Sequence, residues 1–227
     1  MQTKNKPTNF TLIIWIILIA VIIVLVALLV FSLQKNQVTN HNSGENPQIT
    51  NQSQAKVNPD AVRFAADYPA VGPDNLFVYR TGEEIINILQ NGTGIIFLGF
   101  KECGWCQSYA PILNEVATEA GLEKIYYFDI RQDRADNSET YQQIVALLGN
   151  NLDHDEEGRP RIFVPDVTFV KDGEIIAHNN DTSLNTTEEH GTPEEFWTSE
   201  RVAAFKTVLR GYVAPLAPTF CGFECDS

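Results

Sequence analysis

From Asn75 onward the chain alternates between two hydrophobic rhythms, and this alternation constrains its fold more than any other feature. "NLFVYR" (75–80) reads as a short strand. "TGEEIINILQNG" follows as a helix. Thr81 is placed to cap it, Glu84 stands three residues on as in a capping box, and Gly92 ends it. "TGIIFLGF" (93–100) is a continuous apolar run of strand length, the pattern of a strand buried on both faces. A helix then starts at a cysteine pair and runs through Ala120, with Gly121 as its stop. "EKIYYFDI" (123–130) is rich in aromatic and β-branched residues and reads as the next strand. "SETYQQIVALLG" is a helix capped by Ser138 and ended by Gly149.

After that helix the pattern changes. "VTFV-KDG-EIIAHN" predicts two strands joined through Asp172-Gly173, a hairpin signal. "TPEEFWTSERVAAFKTVLRGYV" predicts one last helix, with Thr192 as cap, Pro193 at its first position and Glu195 completing a capping box. Alternation followed by a hairpin gives an α/β class, with a mixed central sheet and helices on both faces.

Within that frame the stretch "FLGFKECGWCQSYAPIL" (97–113) carries chemistry. A strand, a short turn and a Cys-x-x-Cys opening a helix place Cys103 at the helix start. There the free N–H groups and the positive end of the helix dipole stabilise a thiolate. Cys103 is the expected attacking thiolate and Cys106, beneath it, the resolving thiol. The reaction passes through a mixed disulfide with the substrate and needs no cofactor.

These residues resemble the thioredoxin superfamily, over most of residues 75–211. The match rests on strand-"CGWC"-helix and on "VPDVTFVKDGEII". The resemblance implies a thioredoxin-like fold in which a cis-proline, here Pro165, faces the active cysteines. The backbone of Val164 would hydrogen-bond a substrate peptide beside Cys103. Trp105 stands where thioredoxins carry proline and is a candidate substrate contact or a tolerated bulky residue. Phe97 stands where they carry a buried aspartate, and Glu102 is expected to be more exposed. About fifteen to twenty extra residues lie between Asp129 and Pro165, relative to ordinary βαβ connections. "LGFKECGWC", "YYFDIRQD" and "VPDVTFVKDGEIIAH" further resemble the membrane-anchored thioredoxin-like proteins called bacteriocin transport accessory proteins of Gram-positive bacteria.

Outside this region, residues 10–33 carry no charge. About 20 apolar residues span a bilayer as a helix. The run ends without a signal-peptidase-like site, and the first cysteine of the chain is Cys103. The expectation is a single-pass anchor, residues 10–33, behind a cytoplasmic N-terminus, residues 1–9, since Lys4 and Lys6 precede the run and only Lys35 closely follows it. Residues 34–60 are polar and read as a flexible linker. Residues 61–227 form the expected extracytoplasmic domain. From Glu45 onward 13 basic residues face 29 acidic ones, a net charge of −16, which argues against nucleic acid as a partner.

All four cysteines fall in this last part as two close pairs, as suits a compartment where disulfides persist. Cys221 and Cys225 read as a structural disulfide closing a small loop, with a second redox pair as the alternative. A zinc site using all four cysteines is the weaker rival, and no metal site is expected. "DHDEEG" (153–158) imitates a calcium loop but has Val164 where the twelfth-position glutamate belongs, so it reads as a solvated acidic loop. His154, His178 and His190 read as surface histidines. The expected function is that of a thiol–disulfide oxidoreductase acting on secreted or surface proteins and peptides, with a membrane electron donor or acceptor. The alternative is a non-catalytic accessory protein that binds a secreted peptide or a transporter.

Overall fold

The structure, a computed structural model, describes residues 58–180 and 191–218. All of them belong to the unit Ala55–Ser227. The first element is a helix, α1 (Pro59–Asp67), capped by Asn58, whose side chain accepts from the backbone N–H of Asp60 at 3.0 Å. Buried Asn75 then fixes the entry into β1 (Phe77–Tyr79). Its amide donates to the carbonyls of Ala61 and Gly72, and its side-chain oxygen accepts from the N–H of Phe77.

The remaining elements are α2 (Gly82–Asn91), β2 (Gly94–Gly99), α3 (Gly104–Glu119), β3 (Ile125–Asp129), α4 (Arg131–Asp136), α5 (Glu139–Leu148), β4 (Asp153–His154), β5 (Pro160–Arg161), β6 (Asp166–Lys171), β7 (Glu174–Asn179), α6 (Pro193–Phe196) and α7 (Ser199–Val213). Five strands form one sheet in the order β1-β3-β2-β6-β7. β1, β3 and β2 are parallel, and β6 and β7 run antiparallel to them. β4 and β5 pair as a separate small hairpin.

The period of two along β2 divides the core. Ile95 and Phe97 face α1, α3 and α7, in a cluster with Phe64, Tyr109, Leu113 and Leu209. Ile96 and Leu98 face α2 and α5, in a cluster with Ile85, Leu89, Ile144 and Leu148. Each fully buried side chain of this size contributes roughly 1.5–3 kcal/mol by leaving water. Both faces of β2 are covered, which is why its sequence shows no polar alternation.

The predicted signals act as local chemistry dictates. Thr81 and Glu84 close a reciprocal capping box, with distances of 3.2 and 2.8 Å. Ser138 caps α5, accepting from the N–H of Tyr141 at 3.1 Å. Asp172 and Gly173, at φ 52° and 78°, turn β6 into β7. The hairpin tip docks on the end of α2, where the N–H of Gly173 donates to the carbonyl of Gly92 at 2.8 Å.

Three readings need correction. The fold class placed this sheet behind a single membrane-crossing helix. Among the described residues no helix is long and apolar enough to cross a membrane. The run 10–33 lies outside the described residues, as do residues 34–57 of the expected linker. The final helix is two helices. Thr192 and Glu195 do form their capping box, but the chain leaves helical geometry at Trp197, and Thr198 caps α7 anew. His178 is not at the surface. Its side chain is 7 % exposed, and its Nε2 meets the Oδ2 of fully buried Asp166 at 3.0 Å. His154 is exposed, and His190 lies outside the described residues.

Candidate functional site

The pairing of β2 with β6 builds the site. Leu98 on β2 is opposite Asp166, the first residue of antiparallel β6. The residue before Asp166 is Pro165, so the Val164–Pro165 peptide, which is cis, lies at the end of β2 from which the cysteine loop departs. Phe100 turns the chain. Its carbonyl accepts from the N–H of Cys103 at 3.1 Å. Cys103 is the N-cap of α3, in extended backbone geometry, and its sulfur accepts from the N–H of Cys106 at 3.1 Å. Sulfur thus occupies the acceptor position that an oxygen fills at most helix starts. On its other side the Cys103 thiol donates to the carbonyl of Val164 at 3.8 Å.

The two thiols are in different surroundings. Cys103 is half-buried and Cys106 fully buried. The hydrogen bond with the Cys106 thiol lowers the Cys103 pKa from its ordinary value. Burial opposes this, and the backbone N–H groups of Cys106 and Trp105, together with the charge of Arg134, add to the lowering. Burial pushes the Cys106 thiol well up, reinforced by the same thiol–thiol hydrogen bond. Ionisation is therefore easier at Cys103 than at Cys106.

The floor of the site is apolar. Gly99 ends β2 with its Cα against the Phe97 ring and the Cys106 sulfur. A methyl group there would lie 2.7 Å from the ring and 3.2 Å from the sulfur, so only glycine lets Cys106 pack in. Phe97 is fully buried, among Phe77, Tyr68, Tyr109 and Tyr127, with ring centroids 5.6–6.4 Å away. The hydroxyls of Tyr68 and Tyr127 meet at 3.3 Å beneath this layer. Glu102 is exposed, as expected, and pairs with Arg131 at 2.5 Å.

No family model, curated protein or solved structure matches the chain. The architecture is an α/β mixed sheet with flanking helices, compatible with a thioredoxin-like fold.

Of the residues that the sequence singled out, Cys103, Cys106, Val164 and Pro165 come together. Trp105 is half-buried, with its ring edge-to-face on Phe196 of α6 at 5.2 Å. Cys221 and Cys225 lie outside the described residues. Sequence reading missed Phe100, Arg134 and Ile162. The Phe100 carbonyl accepts from the Cys103 N–H and its ring lies under the Arg134 guanidinium, and Arg134 reaches Ile162 in the segment that leads to Pro165. Arg134 stands in the connection after β3 with no motif around it. The helix that carries it, α4, is six residues long, too short to show a periodic pattern.

Proposed function

We propose that this chain is a thioredoxin-like protein thiol–disulfide oxidoreductase. The observation that carries the reading is the asymmetry of the pair. The Cys103 sulfur is half-exposed, capped by the N–H of Cys106 and faced by the Val164 carbonyl, while Cys106 lies fully buried behind it. In the reducing direction the Cys103 thiolate attacks one sulfur of a substrate disulfide. An S–S bond forms between Cys103 and the substrate, and the other substrate sulfur leaves as thiolate and takes up a proton. Cys106 then gives up its proton and attacks the Cys103 sulfur. The Cys103–Cys106 disulfide forms, the substrate leaves as a dithiol, and two electrons have passed to it. Oxidation is the same sequence reversed.

The fold-level resemblance supplies the substrate class, a protein or peptide lying beside Val164 and Pro165. The finer resemblance to bacteriocin transport accessory proteins supports a secreted peptide or surface protein as that substrate. The close pairing of all four cysteines supports work outside the reducing cytosol, with a membrane partner to restore the redox state. Insulin reduction and oxidative refolding of a reduced disulfide protein, assayed for wild type and Cys103→Ser, test the activity. Wild type is expected to show at least one and the variant neither. A wild type without either activity sinks the enzyme reading in favour of an accessory binding protein.

A further inference from the structure

We propose that Arg134 is a positioning residue for exchange at Cys103: it clamps the cysteine loop to the cis-proline segment and holds a positive charge beside the reactive sulfur. The inference rests on the oxidoreductase reading and assigns part of its machinery to the extra chain between β3 and β6.

The geometry is that of one guanidinium touching both halves of the site. The Arg134 Cζ lies 5.3 Å from the centroid of the Phe100 ring. Phe100 is the residue whose carbonyl accepts from the Cys103 N–H. Arg134 Nη1 donates at 3.2 Å to the carbonyl of Ile162. Two residues on from Ile162 is Val164, whose carbonyl faces the Cys103 sulfur. The N–H of fully buried Ile162 is held as well, donating to the Tyr141 hydroxyl of α5 at 3.3 Å. Both backbone polar groups of Ile162 are thus secured by side chains from the inserted helices α4 and α5. A planar guanidinium can stack on a ring and donate in its own plane at once. A lysine ammonium is a point charge without that fork.

The surrounding charges single out Arg134 from its neighbour. Arg131 also stands over Phe100, with Cζ 5.8 Å from the ring centroid. Its charge, however, is turned to Glu102 and Asp129. Among the described residues no carboxylate pairs with Arg134. The titratable groups that act on the two sulfurs are Tyr68 after α1 and Tyr127 on β3, besides the sulfurs themselves; Arg161 of β5 and Tyr141 of α5 face Arg134, and Glu102 on the loop is paired with Arg131. Arg134 is the cation in this set whose charge favours both thiolates.

The test follows alkylation of Cys103 by iodoacetamide against pH in the reduced full chain, read by peptide mass spectrometry. Wild type, Arg134→Gln, Arg134→Lys and Arg131→Gln are compared. Arg134→Gln is expected to move the alkylation midpoint to higher pH, slowing the reaction at pH 6 about three- to tenfold. Arg134→Lys should restore the midpoint towards wild type yet leave exchange with a protein disulfide several-fold slow, because the fork is gone. Arg131→Gln should leave the midpoint in place. A folded Arg134→Gln with the wild-type midpoint overturns the proposal, as does an equal shift in Arg131→Gln. Should Arg134→Gln fail to fold, the wild type decides. The Arg134 side-chain nitrogen resonances must shift with the same pH midpoint as Cys103 alkylation, and a flat response overturns the proposal. Insulin turnover by wild type keeps the two levels apart. Inactive wild type ends the oxidoreductase reading itself, whereas active wild type with an unperturbed Arg134→Gln ends only the role of Arg134.

Discussion

At Cys103 a sulfur stands where serine, threonine or aspartate usually accepts a free N–H of a helix's first turn, here that of Cys106. A thiolate is the better acceptor there, so the cap favours the ionised form and, with it, the nucleophile. Cys106 has the opposite environment. It lies among Phe97 and its aromatic neighbours, and burial, reinforced by the hydrogen bond with Cys103, makes its thiol the harder of the two to ionise. On the proposed function, these surroundings would order the pair in time. Removing the second sulfur should stop the cycle midway. With Cys106→Ser, the mixed disulfide between Cys103 and a disulfide-bearing peptide is expected to accumulate to near the amount of protein present. Wild type should hold only a trace, and Cys103→Ser none. Intact mass under non-reducing conditions checks this, and a wild-type-like trace in Cys106→Ser would remove Cys106 from the resolving role.

At the scale of elements, the legible features were those written in caps, turns and unbroken apolar runs. Thr81 with Glu84, Ser138 and Asp172-Gly173 each satisfy or redirect backbone groups within four residues, so sequence alone can show them. β2 was legible because both its faces are buried. What escaped lacks a periodic pattern or, in one case, depends on a contact between distant residues. α4 is one and a half turns long. The β4–β5 hairpin surrounds an acidic loop in which Asp155 holds Arg159 at 2.8–2.9 Å, a local ion pair rather than a periodic signal. The break at Trp197 was hidden because apolar residues recur at helical spacing on both sides of it, although Thr198 is itself a good cap. His178 is buried because β7 pairs with β6 and brings it to Asp166, a partner twelve residues away.

The same hairpin supports a prediction about Gly173. A methyl group there would stand 2.2 Å from the Gln90 carbonyl, and the backbone is left-handed at φ 78°. Gly173→Ala should lose about 1–3 kcal/mol from the backbone conformation and more from the clash. A urea titration reads the loss. A change under about 0.5 kcal/mol, the range of ordinary surface substitutions, would show that the tip does not dock on α2.

For the molecule as a whole, stability should carry the mark of one acid. Asp166 is fully buried at the start of β6, and burial raises its carboxyl above the ordinary value, with the His178 contact opposing. A raised acid binds its proton more tightly in the folded state. Its contribution is therefore fully present below the unfolded carboxylate value of about 3.9 and is lost as pH rises through the raised value. Asp166→Asn keeps the shape and cannot ionise. Unfolding free energies at several pH values should show the variant gaining on wild type as pH rises above about 4. A difference that stays constant with pH would mean that this carboxyl does not titrate with folding.

β2 is hydrogen-bonded to β3 on one side and to β6 on the other, with helices over both faces. Amide protons in such a strand exchange with solvent only when the sheet comes apart. The cysteine loop is slung from the end of that strand. If the chain is the oxidoreductase proposed above, the Cys103–Cys106 bond would be made and broken at the end of a strand held on both edges and both faces, so cycles of oxidation and reduction would pass through the loop while the exchange-protected centre stays closed.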